Sequence, residues 1–131
     1  MATTTDQNFK NTVSEHPGGE HALDCFLCGT CTAGCPVSAI DDGFNPRKIM
    51  RQILYGMKTE TLSEGEIWKC NQCHACVAHC PQDVRFADIV RALRELAISE
   101  GHYDKSFADK IKEIDQNTKE QRLKQIKDLL K

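Results

Sequence analysis

Residues 25–36 read Cys-Phe-Leu-Cys-Gly-Thr-Cys-Thr-Ala-Gly-Cys-Pro, and residues 70–81 read Cys-Asn-Gln-Cys-His-Ala-Cys-Val-Ala-His-Cys-Pro. Both have the form C-x2-C-x2-C-x3-C-P at an offset of 45 residues, with Ala33 and Ala78 also in register, so one metal-binding unit is written twice. The two stretches hold all eight cysteines of the chain.

Three cysteines at intervals of three can wrap one cubane from a short loop, and soft thiolates stabilise both iron oxidation levels. The fourth ligand must come from elsewhere. In the two-cluster arrangement of this motif, the cysteine before the proline ligates the other cluster. The expected ligands are therefore Cys25, Cys28, Cys31 and Cys80 for one [4Fe-4S] cluster, and Cys70, Cys73, Cys76 and Cys35 for the other. Such a crossing ties the two halves together and places the clusters close enough to exchange electrons. It leaves no free thiol as a nucleophile, so no catalytic residue is expected.

Other uses of eight cysteines fit less well. Disulfides belong to oxidising compartments, and Met1 to Asn11 is polar, without the apolar region of a secretory signal. Zinc sites of four cysteines combine two separated C-x2-C pairs, not a triple spacing closed by proline. Cys70-Asn71-Gln72-Cys73-His74 matches the C-x-x-C-H haem attachment pattern, but that use strands Cys76 and Cys80.

The residues between the cysteines add detail. Pro36 and Pro81 lack an N–H, so they can turn the chain away while their rings screen a cluster from water. Gly29 and Gly34 allow close backbone approach near the first cluster, where peptide N–H groups can bond to sulfur. The second motif has His74 and His79 at those positions, so the two clusters should differ in surroundings and potential. His16, His21, His74, His79 and His102 are expected to be surface or supporting groups, since eight thiolates complete two cubanes. Trp68 is expected to pack, and the basic group Arg47, Lys48, Arg51 and Lys58 to form a solvated helix face.

Between the motifs, Asn45 as N-cap and Pro46 at the first helical position open a helix carrying Ile49, Met50, Ile53, Leu54 and Met57 on one face. Gly56 and the polar stretch Lys58 to Thr61 should end it, with a short helical turn over 62–67. Val84, Phe86, Ile89, Val90, Leu93, Leu96 and Ala97 approximate a 3.6-residue period that stops at Gly101, a C-terminal cap position. A last helical stretch bears Phe107, Ile111 and Ile114, then Leu123, Ile126 and Leu130, and loses its stripe around Gln116 to Thr118. No segment alternates as a strand, so the expected fold class is all-α. We expect a flexible arm over residues 1–19, a cluster-binding domain over 20–101 and a partner-contacting helical tail over 102–131.

The 131 residues carry 17 basic and 19 acidic side chains, mixed along the chain, which leaves no electrostatic footprint for nucleic acid. No apolar run approaches the roughly 18 to 20 residues that cross a bilayer, so a cytoplasmic protein without a transmembrane segment is expected.

Over residues 20–101 the sequence resembles HdrC, the small iron–sulfur protein of heterodisulfide reductase. The likeness rests on residues 25–37, on Asn45-Pro46-Arg47-Lys48-Ile49-Met50-Arg51, on Ile67-Trp68-Lys69-Cys70 and on Phe86 through Leu96. It implies an α-helical ferredoxin fold with two [4Fe-4S] clusters. It also implies a place in a complex of anaerobic metabolism: electrons pass from an HdrA-like flavin/iron-sulfur partner to an HdrB-like, cysteine-rich one, which cleaves a disulfide such as that of coenzymes M and B. The chain would then be a wire and not itself the enzyme. The iron–sulfur proteins of succinate dehydrogenase have a similar helical domain, but they pair a [4Fe-4S] with a [3Fe-4S] cluster and lack the full second set of cysteines. A free ferredoxin-like carrier and an iron–sulfur component of another dehydrogenase complex are the alternative readings.

Overall fold

A computed structural model of the chain describes residues 4–131. Among them the regular elements are helices: α1 (Phe9–Glu15), α2 (Thr30–Ala33), α3 (Pro46–Leu54), α4 (Lys58–Ser63), α5 (Ala75–His79), α6 (Phe86–Ser99) and α7 (Lys105–Leu129). Single 3₁₀ turns at Ala22–Asp24 and Glu66–Trp68 precede the two cysteine motifs. The protein is all-helical, as the sequence pattern requires.

Helix α3 begins where its capping chemistry says it should. The Asn45 side chain accepts from Lys48 N at 3.0 Å, and Pro46 occupies the first turn, where its missing N–H has no partner to lose. Helix α6 ends at Glu100, with Gly101 at φ +81°. These two helices, with α1 and α4, enclose a core of Phe9, Val13, Phe44, Ile49, Met50, Ile53, Leu62, Ile67, Ile89, Val90 and Leu93, each no more than 2 % exposed. The stripe read from sequence on α6 is the face that packs against α1, α4, α5 and the turn before Cys70.

Two local expectations need correction. Of the flexible arm expected over residues 1–19, residues 1–3 lie outside the described residues. The rest is docked: α1 buries Phe9 and Val13 completely, and Asp6 N donates to Gly56 O at 2.8 Å. Gly56 permits this contact because it has φ +75° and a Cβ there would lie 2.3 Å from Asp6 O. A helix of about two turns carries too few apolar residues to advertise burial by periodicity. The second correction concerns Lys58 to Thr61, expected as a polar stretch that ends the preceding helix, which instead opens α4 (Lys58–Ser63) with Thr61 and Leu62 buried.

The C-terminal segment is anchored at one end only. Trp68 lies edge-on to Tyr103 and Phe107, with centroids 5.4 and 5.1 Å away, and Tyr103 Oη donates to Ser63 O at 3.0 Å. Asp104 caps α7 by accepting from Phe107 N at 2.9 Å. Helix α7 then runs unbroken through the point where its apolar stripe fades, and after Asp115 every residue except Ile126 is exposed.

Candidate metal centre

The cysteine motifs fold alike. Leu27 and Gln72, equivalent at the repeat offset, have φ of +60° and +57°, which turns their amides back onto Cys25 Sγ and Cys70 Sγ at 3.4 Å each. Gly29 and His74 occupy the next equivalent position, also left-handed at +86° and +62°, and open the short helices α2 and α5. These helices pack against each other, with the Cβ position of Gly34 3.7 Å from His79 Cδ2. Gly29 thus supplies a left-handed turn, whereas Gly34 has φ −96° and no crowding that demands glycine.

This packing creates two cavities. One, about 440 Å³ including its mouth, is lined by Cys25, Cys28, Cys31, Cys76 and Cys80, and by Pro81. The other, about 300 Å³, is lined by Cys35, Cys70, Cys73 and Cys76, with Pro36 and His74 alongside. Each Cys-Pro pair therefore lies with the three cysteines of the opposite motif. Phe86, 3 % exposed, lines both cavities and stands with Cys76 between them.

The donor set fits a cluster better than a single ion. Four thiolates about 2.3 Å from one tetrahedral zinc crowd within roughly 4 Å of one another. Among the described residues no three of His, Cys, Asp or Glu converge in that way, although all eight cysteines line the cavities as free thiols. Eight thiols disposed around two apolar cavities are the donor set that two cubanes take.

Burial pushes the thiols of Cys25, Cys31 and Cys70 up, and that of Cys76 up to about 11. Cys28 is the exception, held down by its hydrogen bond with the Thr30 hydroxyl at 3.3 Å. Buried thiols of this kind hold their protons until a metal displaces them, so cluster assembly is coupled to proton release and to folding. Further N–H donors meet the sulfurs from outside the loops: Ser38 N to Cys35 at 3.5 Å and Val84 N to Cys80 at 3.4 Å.

Several supporting groups were not among the sequence expectations. Gln72 Nε2 donates to Cys70 Sγ at 3.4 Å and to Ala87 O at 3.2 Å, bracing the second loop on α6. Arg94 donates to the carbonyls of Ile67, Trp68 and Cys70, and its guanidinium lies 5.2 Å from the Trp68 ring centroid. Arg94 falls within one of the stretches that carry the family resemblance, whereas Gln72 has no local signal beyond its place inside a cysteine motif. Of the basic group expected as a solvated face, Arg47 Nε donates to Leu27 O at 2.6 Å and Lys58 pairs with Glu100 at 2.7 Å. His16, His21 and His102 lie near Glu95, Asp24 and Glu100, away from both cavities.

The fold and the paired cavities define a small helical iron–sulfur protein that carries two [4Fe-4S] clusters. Residues 24–85 match the family described as a 4Fe-4S dicluster domain. Beyond it, the chain is similar to the HdrC proteins of heterodisulfide reductases. It is 40 % identical over 81 residues to the C2 subunit of the H(2)/formate:CoB-CoM heterodisulfide,ferredoxin reductase of Methanococcus maripaludis, covering 62 % of this chain and 43 % of that protein. It is 38 % identical over 82 residues to the iron–sulfur C subunit of the CoB–CoM heterodisulfide reductase of Methanopyrus kandleri, covering 63 % and 42 %. It is 34 % identical over 96 residues to the C subunit of the H(2):CoB-CoM heterodisulfide,ferredoxin reductase of Methanothermobacter thermautotrophicus, covering 73 % and 51 %. The aligned region spans about half or less of each of these relatives. No helix among the described residues is long and apolar enough to cross a membrane.

Proposed function

We propose that the chain is the electron-transfer component of a heterodisulfide reductase-type complex in the cytoplasm. It relays single electrons between an HdrA-like flavin/iron-sulfur partner and an HdrB-like, cysteine-rich partner that reduces the disulfide. Cys25, Cys28, Cys31 and Cys80 hold one cluster, and Cys70, Cys73, Cys76 and Cys35 hold the other. The observation that carries this reading is the exchange of Cys-Pro pairs between the two cavities, whose linings share Cys76 and Phe86. When bound, each cluster supplies a one-electron couple. The chain's own residues hold the two side by side, exclude water through Pro36, Pro81 and Phe86, and offer N–H donors to the thiolates.

In this reading all eight cysteines are committed to clusters, and cleavage of the disulfide falls to the HdrB-like partner. The exposed half of α7, with Leu123, Leu129 and Leu130 at 51 %, 86 % and 80 % exposure, is the surface we assign to such a partner. A free carrier has little use for it.

The test begins with protein purified without oxygen. Iron and sulfide analysis should return two cubanes' worth, and the dithionite-reduced protein should show spin-coupled [4Fe-4S] EPR signals. Co-expression with HdrA-like and HdrB-like proteins of the same organism should then yield a stable complex in which the reduced flavin partner discharges through this chain. Zinc or a single cluster would sink the ligand sets. A fully loaded chain that assembles with neither partner would favour the free carrier.

A further inference from the structure

The sulfurs of both cavities make hydrogen bonds. Leu27 N, Thr30 Oγ1 and Val84 N reach the first set, and Ser38 N with both Gln72 nitrogens reaches the second. Hydrogen bonding to sulfur raises a cluster's potential, and both sets have such bonds. The placement of charge also differs.

Arg47 lines the first cavity, whereas Arg94 stands behind the second, outside its lining, bonded to the Cys70 backbone; the two are held differently. Arg47 is exposed and fixed through Nε alone, on Leu27 O. Arg94 is half-buried beneath α7, against Trp68, with three bonds to carbonyl oxygens at 3.0, 3.3 and 2.7 Å. The shortest goes to the carbonyl of Cys70 itself. All three partners are neutral, so no carboxylate cancels the guanidinium by contact; Asp115, across the same groove, acts on it only through space. An exposed charge is screened by water and salt, and a half-buried one much less. A cation beside a cluster favours the form carrying the extra electron.

We propose that Arg94 is a positioning residue that holds the cluster of the second cavity at the higher reduction potential, making that cavity the electron-accepting end of the chain. The inference rests on the two-cluster ligation proposed above, and needs no partner protein. Its chemistry is one electron taken from a titrant per couple, with no bond made or broken.

The experiment is an EPR-monitored redox titration of the fully loaded protein, resolving two one-electron couples. Arg94→Met should lower the upper couple about tenfold in its reduction equilibrium, 59 mV for one electron. Arg47→Met should lower the lower couple, and by less. Arg94→Lys keeps the charge while giving up the fork of bonds, and should leave the upper couple within about threefold of its original equilibrium. The proposal is overturned if Arg94→Met with full iron moves the lower couple or neither. It is equally overturned if Arg94→Lys falls as far as Arg94→Met, because bond geometry and not charge would then be responsible. Should Arg94→Met lose iron, Arg94→Gln serves as the neutral variant; if that also fails to retain both clusters, the role is structural and the proposal falls. A wild-type chain short of two cubanes' worth of iron would instead fault the ligand sets.

Discussion

Thr32 Oγ1 donates to Asn45 Oδ1 at 2.9 Å, and the same Asn45 oxygen accepts from Lys48 N at 3.0 Å. Arg47 N in turn donates to Thr32 Oγ1 at 2.9 Å. The N-terminus of α3 is thereby bonded to the middle of the first cysteine motif, between Cys31 and Ala33. A helix cap, ordinarily a local device, here also positions a cluster loop. Replacing Asn45 by Ala removes the cap and strands the Thr32 hydroxyl, at a cost of about 1–2 kcal/mol. The expected result is a lower melting temperature of the loaded protein and faster bleaching in air, with both cysteine sets otherwise intact. Unchanged bleaching would mean that the cap does not support the loop.

Phe9 distinguishes a docked N-terminal helix from a loose arm. It is 0 % exposed, and Phe→Ala in a core costs about 3–5 kcal/mol. Phe9→Ala should lower the chemical denaturation midpoint markedly, whereas an arm without core contacts would tolerate the change within about 0.5 kcal/mol.

Asp88 supplies a pH dependence. Its carboxylate, 7 % exposed, accepts from Arg85 Nε at 2.8 Å and from Arg91 Nη2, and these bonds, Arg85's first, hold its pKa below the usual carboxylate value. The depressed value means that the contribution to stability is complete above the unfolded pKa of about 3.9 and is lost as pH falls through the folded value. Asp88→Asn should therefore be less stable than the parent at pH 7 by about 1–2 kcal/mol. The gap should narrow below about pH 4. Urea midpoints of the two proteins compared at each pH read the difference; a gap that widens on acidification would contradict the assignment.

Helix α7 should divide at Asp115. Removing residues 116–131 deletes almost only exposed side chains and should shift the melting temperature little, while weakening assembly with a disulfide-reducing partner. Phe107→Ala, which opens the cluster with Trp68 and Tyr103, should instead destabilise the isolated chain by about 3 kcal/mol. Calorimetry of the two variants, alongside co-purification with the partner, separates a supporting segment from a docking one.

Stripping the clusters with a chelator and an oxidant should collapse the fold between the two motifs. The loops there present left-handed residues and buried thiols whose organisation metal–sulfur bonds must sustain. Circular dichroism of the apoprotein should show a large loss of helix; retention of native helicity would show that the core of Phe9, Ile53, Ile89 and Leu93 suffices without metal.

By itself the sequence determined what local rules can carry. The doubled cysteine spacing specified the cofactor, because a cubane's ligand pattern is written within a single short motif. Asn45-Pro46 and Gly101 marked helix ends, because caps are bonds between near neighbours. The apolar period of α6 identified its buried face, and the absence of strand alternation identified the fold class. That Phe9 is buried, that Lys58 to Thr61 is helical and that Arg94 braces the entry to the second motif were decided by the tertiary structure. Each of these depends on contacts between residues distant in the chain. Arg94 lies 24 positions from the carbonyl it holds, and Phe9 meets the core from the far end of the sequence, so no short window of residues contains either interaction.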